Sequence, residues 1–204
     1  MTTPKTGAEL RKILSSRKLE RVVVLGANGT MGYGSAALFT TAVPEVTLLA
    51  RTKAKADEGL AAAIKQVRSP TVALRAKTGD YEHDLAKAVA GADLVFEALT
   101  EDMALKKAIF DQVEAARRPD SIVATVTSGL SINALCAGRG ESFRKNFLGL
   151  HFFNPPNVIV GTELIAGKDT DPAVVEFIDA FSTIRLGREM VRAFDTPAFA
   201  GNRE

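Results

Sequence analysis

The sequence predicts an α/β protein: a doubly wound, mostly parallel sheet with helices on both faces. Three observations carry that expectation. Continuous apolar runs such as RVVVLG (21–26) and DLVFEAL (93–99) have the length of strands buried on both sides. Helix-length segments alternate with them along the chain, as right-handed crossovers between parallel strands require. The first run also ends in a glycine-rich loop that leads directly into a helix. Hydrophobic residues make up 46% of the 204 and charged residues 25%, enough to build one sizeable core.

At the start, Leu10, Ile13 and Leu14 share one face of a short amphipathic helix. It belongs to an extension, 1–18, ahead of a single domain, 19–204. After the first strand, 31–41 reads as a helix and EVTLLA (45–50) as the second strand. ADEGLAAAIKQV reads as a helix and TVALRA (71–76) as the third strand. HDLAKAVAGA is a short helix closed by its glycine, and DLVFEAL is the fourth strand. MALKKAIFDQVEAA is the next helix and SIVATVTS (121–128) the fifth strand. LSINALCAG reads as a short helix, FLGLHFF as a sixth strand and VIVGTELIAG as a seventh. A last helix, PAVVEFIDAFSTI (172–184), precedes a final strand, REMVRAF (188–194).

The formal charge of +2 gives no ground for a nucleic-acid or membrane partner. No run approaches the roughly 18 apolar residues of a membrane helix. The opening MTTPKTGAELRKILSSRKLE lacks the apolar core of a signal peptide. A cytoplasmic location is expected. Cys136, the single cysteine, cannot close an internal disulfide and has no metal-ligand pattern around it, so a buried thiol and no metal are expected.

LGANGTMGYG joins the first strand to the first crossover helix, with Gly26, Gly29 and Gly32 spaced one residue wider than the common dinucleotide fingerprint. Glycines are needed there because a phosphate must approach the backbone at a helix N-terminus, and because helix and strand pack closely. Gly26, Asn28, Gly29, Thr30, Met31 and Gly32 are therefore candidate cofactor contacts in a Rossmann-type fold. The second strand ends in Ala50, Arg51, Thr52 and Lys53, where an Asp or Glu would otherwise bind the adenosine ribose of NAD. A guanidinium pairs with a 2′-phosphate that a carboxylate would repel. NAD or NADP is the expected cofactor, with Arg51 favouring NADP over a merely solvated basic loop.

The series ADLVFEALTED…LKK, TSGLSI, GLHFFNPP, TE and FDTPAFAGNR resembles the NAD-binding domain of L-3-hydroxyacyl-CoA dehydrogenases from about residue 20 onward. The HFFNPP run with its following Glu is the specific part. The resemblance implies that His151 takes the proton of a substrate 3-hydroxyl while hydride leaves C3, and that Glu163 orients the ring. Imidazole titrates near neutral pH, and a buried carboxylate in hydrogen-bonding reach makes it a stronger base. Strands carrying the two residues are expected to bring both to the carboxyl end of the sheet.

By the same resemblance Ser128 contacts the substrate oxygen and Asn202 the substrate carbonyl, while Asn154, Glu101, Lys106 and Ser128 lie on the cofactor side. Val126 stands where the family has an asparagine before Thr127 and Ser128. His83 matches no role and reads as a surface residue. The family's CoA-contacting helical pair is shortened here, so no CoA ligand is expected by number. The resemblance further implies an acyl-CoA substrate, fatty-acid β-oxidation chemistry, and a C-terminal helical domain that supplies the dimer contact and is absent from this chain. A non-catalytic nucleotide-binding module of a multidomain lipid-metabolism protein, or a dehydrogenase of a related 3-hydroxy acid, stays open as an alternative.

Overall fold

The computed structural model describes residues 5–196 and Phe199. Its strands are β1 (Arg21–Leu25), β2 (Glu45–Ala50), β3 (Ala76–Asp80), β4 (Leu94–Glu97), β5 (Ile122–Thr125), β6 (Phe147–Phe152), β7 (Gly161–Ala166) and β8 (Glu189–Ala193). They form one sheet in the order β3-β2-β1-β4-β5-β6-β7-β8. Pairing is parallel throughout except between β6 and β7. The expected doubly wound, mostly parallel sheet is therefore what the chain forms. The order reverses at β1, whose neighbours are β2 and β4, and ligands in such sheets bind at the carboxyl ends beside that reversal.

The helices are α1 (Gly7–Leu14), α2 (Thr30–Ala42), α3 (Lys53–Val67), α4 (Thr71–Arg75), α5 (Leu85–Gly91), α6 (Met103–Ala116), α7 (Ile132–Cys136), α8 (Glu141–Lys145) and α9 (Pro172–Arg185). Strand alternation sorts the core into two layers. Val22 and Val24 of β1 face α2 and α9, where Phe39, Phe96 and Phe152 pack with centroids 5.2–6.1 Å apart. Val23 and Leu25 face α5, α6 and α7, where Phe110, Phe143 and Phe147 pack at 5.2–5.9 Å. Ile13 and Leu14 of α1 lie against the first layer, and Thr6 with Glu9 closes a capping box at its start.

One strand is displaced from its expected place. Residues 71–75 form the short helix α4, and β3 begins only at Ala76. Pro70 opens α4, accepting from the Ala73 amide. Val72 points into a small cluster with Ala37 and Ala63 while Leu74 is 85% exposed, a one-sided burial that a short helix satisfies. The true strand, AKTGD, is polar because it is the sheet edge, with only β2 beside it. The apolar run TVALRA is thus a helix that leads into the edge strand, not the strand itself.

Candidate active site

A cleft runs along the carboxyl ends of β1 and β4 and consists of two adjoining cavities. One, about 440 Å³, includes Gly26, Asn28, Arg51 and Tyr81; the other, about 520 Å³, includes Met31, Glu101, Ser128, His151 and Asn154. They meet at Gly29 and the 98–100 turn. The glycine loop shapes the junction. Gly26 has φ +81°, and a Cβ there would overlap the Ala98 carbonyl. A Cβ on Gly32 would overlap the Gly26 carbonyl, so α2 could not approach β1 as closely. Gly29 is the N-cap of α2 and no side chain caps that helix, so its first-turn N–H groups are left to an anion. This cradle fits the pyrophosphate of a dinucleotide.

His151 is the penultimate residue of β6, directly opposite Glu163 of β7. Because β7 runs antiparallel, the beginning of that strand arrives where β6 ends. The pair therefore meets at the cleft by direct cross-strand register, at the carboxyl end of β6 and the amino end of β7. His151 Nδ1 lies 2.7 Å from Glu163 Oε2, and both residues are buried, 6% and 2% exposed. With Nδ1 facing the carboxylate, Nε2 is the nitrogen left for other chemistry. The rings of Phe153 and Phe199 stand 4.9 and 6.0 Å from the imidazole. Phe199 does so at φ +47°, the left-handed region that an aromatic residue rarely adopts.

Below the second cavity lies a wholly buried ion pair that the sequence reading did not include. Lys106 Nζ donates to Glu97 Oε1 and Oε2 at 2.7 and 2.9 Å, and to the Val126 carbonyl at 3.2 Å. Glu97 also accepts from the Leu99 amide and the Thr125 hydroxyl. Burial pushes the Glu97 carboxyl above its ordinary range, against the pull of Lys106 and these donors. Lys106 is thus committed beneath the cleft and is not presented to it, which departs from its expected place on the cofactor side. Glu101, by contrast, lines the cleft. It accepts from the Thr127 hydroxyl and from the Ser128 and Gly129 amides, the latter two at 2.9 and 3.1 Å, and so holds the loop that carries Ser128.

At the other end Ala50 is buried and Arg51 exposed, with no ion pair to Arg51 among the described residues. Lys53 is already bound to Asp57 and Thr78. Thr30 and Asn154 line the second cavity. Asn202 lies outside the described residues. His83, 72% exposed in its side chain, bonds Asp80 away from this chemistry. Among the described residues no cluster of His, Cys, Asp or Glu could hold a metal ion, and no helix is long and apolar enough to cross a membrane. Nothing in the sequence singles out Glu97, a lone charge inside an apolar run, or Tyr81, an aromatic in the polar stretch GDYEHD.

Residues 21–196 match the profile of the 3-hydroxyacyl-CoA dehydrogenase NAD binding domain. The chain belongs to the 3-hydroxyacyl-CoA dehydrogenase family. A probable 3-hydroxyacyl-CoA dehydrogenase of Bacillus subtilis is 34% identical over 92% of this chain, which spans 27% of that relative. A 3-hydroxybutyryl-CoA dehydrogenase of Mycobacterium tuberculosis is 32% identical over 92% of this chain and is covered over 68% of its own length. Among solved structures, (S)-3-hydroxybutyryl-CoA dehydrogenase PaaH1 of Ralstonia eutropha superposes with a TM-score of 0.81 at 28% identity, over 91% of this chain and 67% of that one. The matched region is the family's nicotinamide-cofactor domain, and this chain spans about a quarter to two thirds of the length of such relatives.

Proposed function

We propose that this chain is the cofactor-binding and proton-transferring part of a dehydrogenase that oxidises the C3 hydroxyl of a 3-hydroxyacyl-CoA. The observation that carries this reading is the buried His151–Glu163 pair, 2.7 Å apart, opening on the cleft that the glycine loop also borders. A pure binding module has no use for a base held in this way. His151 Nε2 accepts the hydroxyl proton, and Glu163 keeps the ring in the tautomer and orientation that leave Nε2 available. When bound, the nicotinamide supplies the hydride acceptor. Ser128, on the loop fixed by Glu101, and Asn154 flank the reacting carbon and the cofactor, and Asn202 is assigned to the substrate carbonyl. Lys106 serves from behind, holding Glu97 and the turns at the floor of the cleft.

For the cofactor, Arg51, which has no ion pair among the described residues and stands beside a buried Ala50, supports NADP over NAD. Titration of NADH and NADPH into the chain by fluorescence tests this. NADPH is expected to bind at least as tightly, and Arg51→Asp to reverse the order. A charge-assisted pair contributes about 1.5–3 kcal/mol, or roughly ten- to a hundredfold in affinity. A clear NADH preference in the unaltered chain would remove the NADP assignment. Absence of binding by either would remove the dinucleotide reading itself.

A further inference from the structure

Tyr81 is the first residue past β3, and its amide donates to the Ala50 carbonyl at 3.1 Å, extending the parallel pairing one step beyond Asp80. That bond fixes its backbone at the corner where Arg51 leaves β2. From there the half-buried ring packs against the α5–α6 layer of the core and reaches the glycine loop. Its hydroxyl oxygen accepts from the Gly26 amide at 2.8 Å. The same amide also donates to the Leu49 carbonyl at 3.1 Å, so it would not be orphaned without the phenol.

A phenol both accepts and donates. Here the accepting side is occupied, and among the described residues no group takes the hydroxyl's own proton. Burial pushes the Tyr81 pKa up to about 12, against the Gly26 amide and the positive charge of Arg51, so the proton is retained through the neutral range. The residue lines the same cavity as Arg51, Asn28 and Gly29.

We infer that the Tyr81 hydroxyl donates to an acceptor oxygen on the adenosine half of the bound dinucleotide, and that it replaces in function the carboxylate missing from the end of β2. A carboxylate there only accepts, and so suits ribose hydroxyls. The phenol proton and the Arg51 guanidinium only donate, so this corner suits phosphate and ribose oxygens acting as acceptors. The inference rests on the dinucleotide reading above. Oxygens of three kinds have the required chemistry: on a 2′-phosphate, and on the adenosine ribose and its 5′-phosphate, the last two shared by NAD and NADP.

The experiment compares Tyr81→Phe with the unaltered chain for NADH, NADPH and nicotinamide mononucleotide, which lacks the adenosine half. The substitution keeps the ring and leaves Gly26 bonded to Leu49. Binding of at least one dinucleotide is expected to weaken by about tenfold, with the mononucleotide unaffected. Loss confined to NADPH assigns the 2′-phosphate; equal loss for both assigns an oxygen they share, on the adenosine ribose or its 5′-phosphate. Unchanged dinucleotide affinities would overturn the proposal. So would an equal loss for the mononucleotide, because the hydroxyl would then merely prop the loop. If the unaltered chain bound neither dinucleotide, the underlying reading would fail before the variant was compared, and the proposal with it.

Discussion

His151 and Glu163 come together because a single hydrogen-bond register sets them opposite each other on neighbouring strands. Their contact needs no long flexible side chain and no loop, which is the kind of support a positioned base requires. Replacing His151 by Gln is expected to lower 3-hydroxyacyl-CoA turnover by about 10²–10⁴-fold, the usual contribution of a general base, with dinucleotide affinity unchanged. Glu163→Gln should fall in the same direction, since the amide can present its N–H₂ group to the ring and disturb the tautomer. Steady-state kinetics together with cofactor titration checks both; full turnover in either variant would show the pair to be structural. Both residues were legible in the sequence because an ionisable group in an apolar run is conspicuous. Tyr81 was not, since its role depends on a β3 register that the apolar pattern misplaced. Phe199 was equally silent, for no local pattern announces a left-handed aromatic against an imidazole.

At the scale of elements, the strands buried on both faces are legible in the sequence, and of the two edge strands β8 is legible to within a residue while β3 is not. β1, β4 and β5 are apolar because helices cover both sides, and their runs are continuous. β3 has a neighbour on one side only and reads AKTGD, which no hydrophobic pattern distinguishes from a loop. The direction of β7 was not legible either, since a strand's residues do not record which way it runs. The joint between β4 and α6 rests on Glu97 and Lys106, both with fully buried side chains. Lys106→Met leaves the Glu97 carboxylate buried without its counter-charge and is expected to cost about 3–5 kcal/mol, whereas replacing both by apolar residues should recover most of that loss. Urea denaturation of the single and double variants measures it. A loss below about 1 kcal/mol in the single variant would mean that water or another donor compensates.

Across the whole molecule the two ends of the sheet divide the labour. The carboxyl ends of the strands carry the cleft, while the amino ends are tied together by ionic and backbone bonds around Asp93. Its carboxylate accepts from the Glu20 and Arg21 amides at 2.9 and 3.0 Å and from Arg118 at 2.8 Å, joining the chain before β1 to the turn after α6. Burial alone would raise the Asp93 pKa, but Arg118 and the two amides outweigh it and hold the carboxyl below the ordinary carboxylate range. A group depressed in the folded state stabilises that state above its unfolded pKa of about 3.9, and the contribution disappears as pH falls through the lower, folded value. The unaltered chain should therefore lose stability steadily below about pH 4. Asp93→Asn should begin less stable near neutrality and lose less over the same acid range, because it has no such proton to take up. Arg118 is partly exposed, so screening keeps the effect modest and added salt should shrink it further. Thermal midpoints of the two proteins measured from pH 3 to 7 decide the matter: parallel curves would mean that Asp93 is not what ties the amino ends together in acid.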